Sequence, residues 1–228
     1  MDADGYAITG SLFLLTALLA FLSSRSAYRY LSDHEPRELP WIGGLALAAA
    51  AMAIESAVFL GATGPILLQG YVFASAAIVG VLSLGAVHVL RRPRAERGYY
   101  VFTLAMIALV AAVSFSTPPA SGMVANGVIA GDPSLLLVVL SSFVTFPATV
   151  VLLVASAIAL RRSRKWQTIL LIAGALILGA GGTLYIASFP ATLYYTEFAG
   201  IILLFFGLVS LPHPSPAPTT FPTGAPTG

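Results

Sequence analysis

Two glutamates stand inside otherwise uncharged apolar sequence. Glu55 and Glu197 lie within long hydrophobic stretches, whereas every other charged residue of the 228 falls between such stretches or before the first. An isolated carboxylate in hydrocarbon is costly, so each is expected to be protonated, hydrogen-bonded, hydrated by a cavity or neutralised by a cation. Each sits five or six residues from the end of its stretch, about 8–9 Å below the surface at about 1.5 Å per residue. No Lys or Arg shares that depth.

The neighbouring polar residues suit a small pocket. Gln69 and Tyr71 open the stretch that follows Glu55, and Tyr194 lies three residues before Glu197, on the same helix face. Ser114, Ser116, Ser141, Ser142 and Thr145 fall at the same end of their stretches, as do Thr183 and Tyr185. Glu55, Glu197, Gln69, Tyr71 and Tyr194 are therefore the candidate substrate- or ion-binding residues, for exchange of a proton or cation coupled to movement of a small solute. The competing reading is structural: each Glu bonds internally to hold a helix bundle, and each hydroxyl bonds its own helix backbone. Pro147 lies mid-stretch, frees the carbonyl of Phe143 and is the candidate hinge.

Other chemistry finds little support. His88 and His213 end two stretches on one side, and a facing imidazole pair could ligate haem iron or another metal. No Cys-x-x-Cys-His sequence or neighbouring carboxylate accompanies them, so polar residues at headgroup level explain them more cheaply, and no cofactor or metal is expected. His34 lies in a charged loop and is read as solvated. Nucleophile motifs, phosphate-binding glycine loops and zinc-ligand spacing are all absent, so no enzyme activity is expected.

The elements that must position these residues follow from composition. The chain is 58% hydrophobic, 9% charged and lacks cysteine, against about 25% charged residues in a typical soluble domain. A globular cytosolic enzyme, a disulfide-stapled secreted domain and a nucleic-acid binder are all disfavoured. About 20 residues of helix cross about 30 Å of hydrocarbon, and seven stretches suffice: 6–24, 41–60, 65–90, 99–116, 134–160, 166–187 and 191–211. Continuous apolar runs favour helices over barrel strands. The fold class is thus all-α: a polytopic, seven-helix membrane domain over 1–211 with a disordered Pro/Thr/Gly-rich tail over 212–228.

All 11 Lys and Arg residues occupy alternate loops, after the first, third and fifth stretches. The positive-inside rule places those loops and the C-terminus in the cytoplasm and the N-terminus outside. The loop 117–133, with Pro118-Pro119, Asn126-Gly127 and Asp132-Pro133, reads as a connector rather than a lid. Small residues at four-residue spacing (Gly44 and Ala48; Ala108, Ala112 and Ser116; Ala175, Gly179 and Thr183) are expected to pack helices within the bundle.

A shift of 125 positions aligns Trp41 with Trp166, Pro65 with Pro190 and His88 with His213, in a chain with only 2 Trp and 3 His. This predicts a parallel duplication: repeat one over 6–90, a linker helix over 99–116 and repeat two over 134–211. The three-plus-one-plus-three layout resembles that of SWEET-type sugar transporters and is compatible with that of microbial rhodopsins. The resemblance is one of architecture. A retinal Schiff base needs a lysine in the last helix, and the chain's single lysine is Lys165.

The expected function is that of a carrier or channel in the cytoplasmic membrane, with an outward-facing polar cavity that takes a small solute, proton or cation. The alternative is a non-catalytic membrane subunit of a larger, respiratory or redox, complex. Expected partners are the lipid bilayer and further membrane subunits or copies of the chain, not nucleic acid.

Overall fold

Long apolar stretches joined by short connections leave little choice but helices lying side by side, each antiparallel to the one before. The computed structural model describes residues 3–34, 38–90, 92–119, 123–125, 128–129 and 134–163, and beyond them 166, 169–171, 173, 174, 176, 177, 196, 199–204, 206 and 207. Within these are five helices long and apolar enough to cross a membrane: α1 (Ala3–Asp33), α2 (Glu38–Phe59), α3 (Pro65–Ala86), α4 (Pro93–Ser116) and α5 (Leu135–Ser163). The fold is that of an all-α membrane protein. The described residues of the sixth and seventh stretches are helical as well. The tail, 212–228, lies outside the described residues.

Helix ends follow local chemistry. α2 closes with Gly61 at φ +99°. The Gly61 and Ala62 amides donate to the carbonyls of Val58 and Ala57, both at 2.9 Å. This is a Schellman closure, whose left-handed residue is best tolerated by glycine. α3 and α4 each begin with proline in the first turn, where the missing amide costs nothing. α4 therefore starts at Pro93, earlier than the apolar stretch predicts, and α3 tightens into a 3-10 turn over Val87–Leu90 just before it. α1 runs on past its apolar stretch to Asp33 and keeps Ser26 buried.

Contacts fix the antiparallel order. The Ser23 hydroxyl of α1 donates to the Ile42 carbonyl of α2 at 3.2 Å, and the Tyr100 hydroxyl of α4 donates to the Leu84 carbonyl of α3 at 2.8 Å. Tyr99 likewise bonds Ser83. Arg25, Arg29, Arg92, Arg94, Arg97 and Arg161 consequently collect towards one end of the bundle, here the arginine end. The α2–α3 loop and the segment after α4 lie at the other.

α3 is the hub, packed against α2, α4 and α5. Small residues let it approach closely. A Cβ on Gly44 would fall 2.5 Å from Leu82, and one on Gly80 would fall 2.5 Å from Val144. The last stretch reaches the interior too: Ile201 packs with α1 and α2 around Leu19 and Met52. Leu204 packs with α3 and α5 around Leu82 and Leu152. In a bilayer such close fitting stabilises through dispersion contacts, since lipid tails are as apolar as leucine.

Two expectations need adjustment. Gly44 and Ala48 do pack inside, but Ala108, Ala112 and Ser116 all lie exposed on α4, because α4 turns its other face, with Thr103, Val110 and Ser114, to the bundle. That small-residue ridge is not internal packing; the third ridge, Ala175, Gly179 and Thr183, lies outside the described residues. The aligned tryptophans also differ. Trp41 packs beside Gly85, whereas Trp166 is 57% exposed.

Gly85 has no room for a side chain, because a Cβ there would lie 2.6 Å from the Trp41 indole nitrogen. Gly85→Ala is expected to cost about 1–3 kcal/mol, read as a lower thermal midpoint in detergent. Adding Trp41→Leu should recover part of the loss; no recovery would show that the indole is not the obstacle.

Candidate functional site

The segment after α4 does more than connect. It forms an antiparallel pair of short strands, β1 (Val124–Ala125) and β2 (Val128–Ile129), with Val124 opposite Ile129 and Ala125 opposite Val128. The intervening residues are Asn126-Gly127, a pair that favours the tight turn of a two-residue hairpin. Met123 and Ile129 are buried and share one apolar cluster with Val58, Leu68 and Tyr71. The hairpin end of the bundle is thus plugged by its own chain over the tips of α2 and α3.

Glu55 lies below this plug. It occupies the same face of α2 as Ala51 and Val58, one turn away on either side, and is 2% exposed. Tyr71 lies six residues into α3, at a similar depth, and is also 2% exposed. Glu55 and Tyr71 therefore belong to the packed interior beneath the hairpin, away from lipid and from the surface. Glu197 and Tyr194 lie outside the described residues.

Gln69 goes elsewhere. Its amide nitrogen donates to the Thr117 carbonyl at 2.9 Å and to the Phe115 carbonyl at 3.4 Å, satisfying the end of α4, where backbone carbonyls lack helical partners. It borders a cavity of about 130 Å³ between the hairpin-end tips of α3, α4 and α5, with Leu68, Val72, Met123 and Leu137 as apolar walls and Ser114, Thr117 and Ser134 as polar ones. Glu55 and Tyr71 are not among its lining residues. Gln69 thus borders a space that Glu55 and Tyr71 do not line, although Leu68 and Met123 belong both to its walls and to the Tyr71 cluster.

Most of the hydroxyls return to their own helices. Ser116 donates to the Val113 carbonyl, Ser141 and Ser142 to that of Val138, and Ser56 beside Glu55 to that of Met52. Ser114 differs: it is 2% exposed and its hydroxyl has no hydrogen-bond partner.

Pro147 lies within one continuous helix, α5. Directly after it, Ala148 is fully buried against Val79 and Leu82 of α3, so the candidate hinge is also a packing point. His88 falls in the 3-10 turn at the arginine end, and His213 lies outside the described residues. No group of three or more metal-binding side chains occurs among the described residues. His34 is exposed, as expected of a solvated residue.

Sequence reasoning missed the hairpin plug. Its signal was present: Asn126-Gly127 is flanked by Val124 and Val128-Ile129. Compared with protein-family models, curated proteins and solved structures, the chain matches none.

Replacing Gln69 by Ala removes the donor that holds Thr117. The expected cost is about 0.5–1.5 kcal/mol, seen as faster proteolysis within 117–134. Gln69→Glu, which keeps the size but loses the amide donor, should behave alike. Unchanged proteolysis in both would show that this bond does not hold the plug.

Proposed function

We propose that the chain is a small carrier or channel of the cytoplasmic membrane, for a proton, a cation or a small neutral solute, with Glu55 as the group that exchanges charge. The observation that carries this reading is the burial of Glu55 in the bundle beneath a plug made of only a few residues. A carboxylate gives up its hydration on entering such a medium, so its charge changes together with a proton or a bound cation. The short hairpin is the natural element to move, because little of the bundle would need to repack for access to open.

The last stretch supports a paired site. Ile201 shares a cluster with Met52, and Met52 precedes Glu55 by three residues, as Glu197 precedes Ile201 by four. Close approaches also agree with the duplication. Gly44 meets Leu82 between α2 and α3, and Gly207 meets Leu171 at nearly the same repeat level, with the small residue on the opposite partner.

A second reading rests on the exposed small-residue ridge of α4. Ala108, Ala112 and Ser116 offer the close-approach surface typical of helix–helix contacts, which suits a subunit of a larger membrane complex.

Reconstitution into proteoliposomes separates the two. Carrier or channel activity predicts uptake driven by an imposed ion gradient, lost to background in Glu55→Gln and retained in Ala108→Leu. Uptake unchanged by Glu55→Gln would remove Glu55 from the mechanism. An inert purified chain that co-purifies with other membrane proteins, and loses them in Ala108→Leu, would establish the subunit reading instead.

A further inference from the structure

We infer that the cavity between the hairpin-end tips of α3, α4 and α5 is the antechamber through which Glu55 is reached, with the Met123 side chain as the gate between them. The inference rests on the carrier reading of Glu55, and it narrows the moving part from the hairpin to one side chain.

Position is the first argument. The cavity of about 130 Å³ has room for several water molecules. Pro118 and Ser134 border it and are exposed, so it communicates with the surface at this end of the bundle. Its inner walls include Leu68 and Met123, which are 7% and 4% exposed. Both also belong to the cluster that contains Ala51, Val58 and Tyr71. Ala51 and Val58 stand one turn to either side of Glu55 on the buried face of α2. Leu68 and Met123 are therefore the layer shared by the cavity and the surroundings of Glu55.

The second argument concerns which part of that layer can move. Leu68 is held in the first turn of α3. The rim is stiff, because Gln69 fixes the Thr117 carbonyl at 2.9 Å and two prolines follow it, each with its φ locked by the ring. Ile129 anchors the hairpin at 1% exposure in the same cluster as Val58. Met123 alone combines an unbranched, adaptable side chain with an adjoining space to turn into. In a close-packed interior such a void decides which side chain moves without shifting the backbone. While Met123 packs against Tyr71 and its neighbours, the layer is an apolar constriction of the kind that stops water and ions by dewetting. The structure shows this closed state, with Glu55 only 2% exposed.

The chain lacks cysteine, so Glu55→Cys supplies a single thiol whose modification reads access to that position. The variant is reconstituted in vesicles and treated with a small charged methanethiosulfonate reagent. Ala62→Cys, in the exposed α2–α3 loop, serves as reference. Modification of a buried group tracks the population of its opened state. Removing the gate side chain with Met123→Ala is expected to raise the rate at position 55 by at least about tenfold and to leave position 62 unchanged. Adding Val72→Trp, which fills the cavity, or Ser134→Trp, which narrows its exposed rim, should lower the raised rate at least about threefold.

No rise with Met123→Ala, or an equal rise at position 62, would overturn the gate. A raised rate that both tryptophans leave unchanged would overturn the route. Met123→Ile keeps the apolar bulk but stiffens the side chain, so it should slow modification of Glu55→Cys; a faster rate would equally count against the gate. Ion-driven uptake in Glu55→Gln is measured separately from thiol access, so failure of the carrier reading and failure of the gate are told apart.

Discussion

Inside hydrocarbon no water takes over a backbone hydrogen bond that the chain leaves unmade. Each unsatisfied amide or carbonyl there costs several kcal/mol, so a single chain crossing repeatedly must do so as helices. The rest of this structure depends on that constraint. It explains why, among the described residues, irregular backbone is confined to the ends of the bundle, why α3 and α4 begin with proline, and why Gln69 reaches across to the last carbonyls of α4. Even the Schellman closure at Gly61 serves it, by pairing carbonyls that the end of α2 would otherwise leave open.

Side chains obey the same accounting. Ser56, Ser116, Ser141 and Ser142 spend their hydroxyls on their own helix backbones and so add no polarity to the interior. That behaviour is the structural reading of the polar residues, and it holds for most of them. Ser114 and Glu55 depart from it in different ways. One leaves a buried hydroxyl without a partner, and the other places an ionisable group in the buried interior. Departures from a rule that most of these residues keep are where function is best sought.

Packing decides which helix faces meet. Without a hydrophobic force between helices in lipid, association relies on close fit, and α3 gains that fit from Gly80 and Gly85 on its own surface and from Gly44 opposite it. α4 shows the converse. Its buried face holds Thr103, Val110 and Ser114, and a ridge of equally small residues is left facing outward. The same residue types at the same spacing therefore have opposite roles on different helices, and four-residue periodicity alone does not tell them apart.

How much was legible in the residues follows from these forces. Apolar length and the scarcity of charge determined that the chain is helical and membrane-embedded, because the hydrocarbon thickness and the backbone hydrogen-bond requirement act on each segment separately. Only the depth of Glu55 and Tyr71 was legible for the same reason, since it can be counted along a helix from its end; their burial was decided by packing. Which groups share a space was not legible either. Gln69 stands two residues from Tyr71, yet it turns to α4 and the cavity while Tyr71 turns to α2 and the hairpin, since helical geometry sends such neighbours to different faces. The plug was likewise decided by tertiary structure, because Met123 and Ile129 bury themselves only where the tips of α2 and α3 leave an apolar surface to receive them.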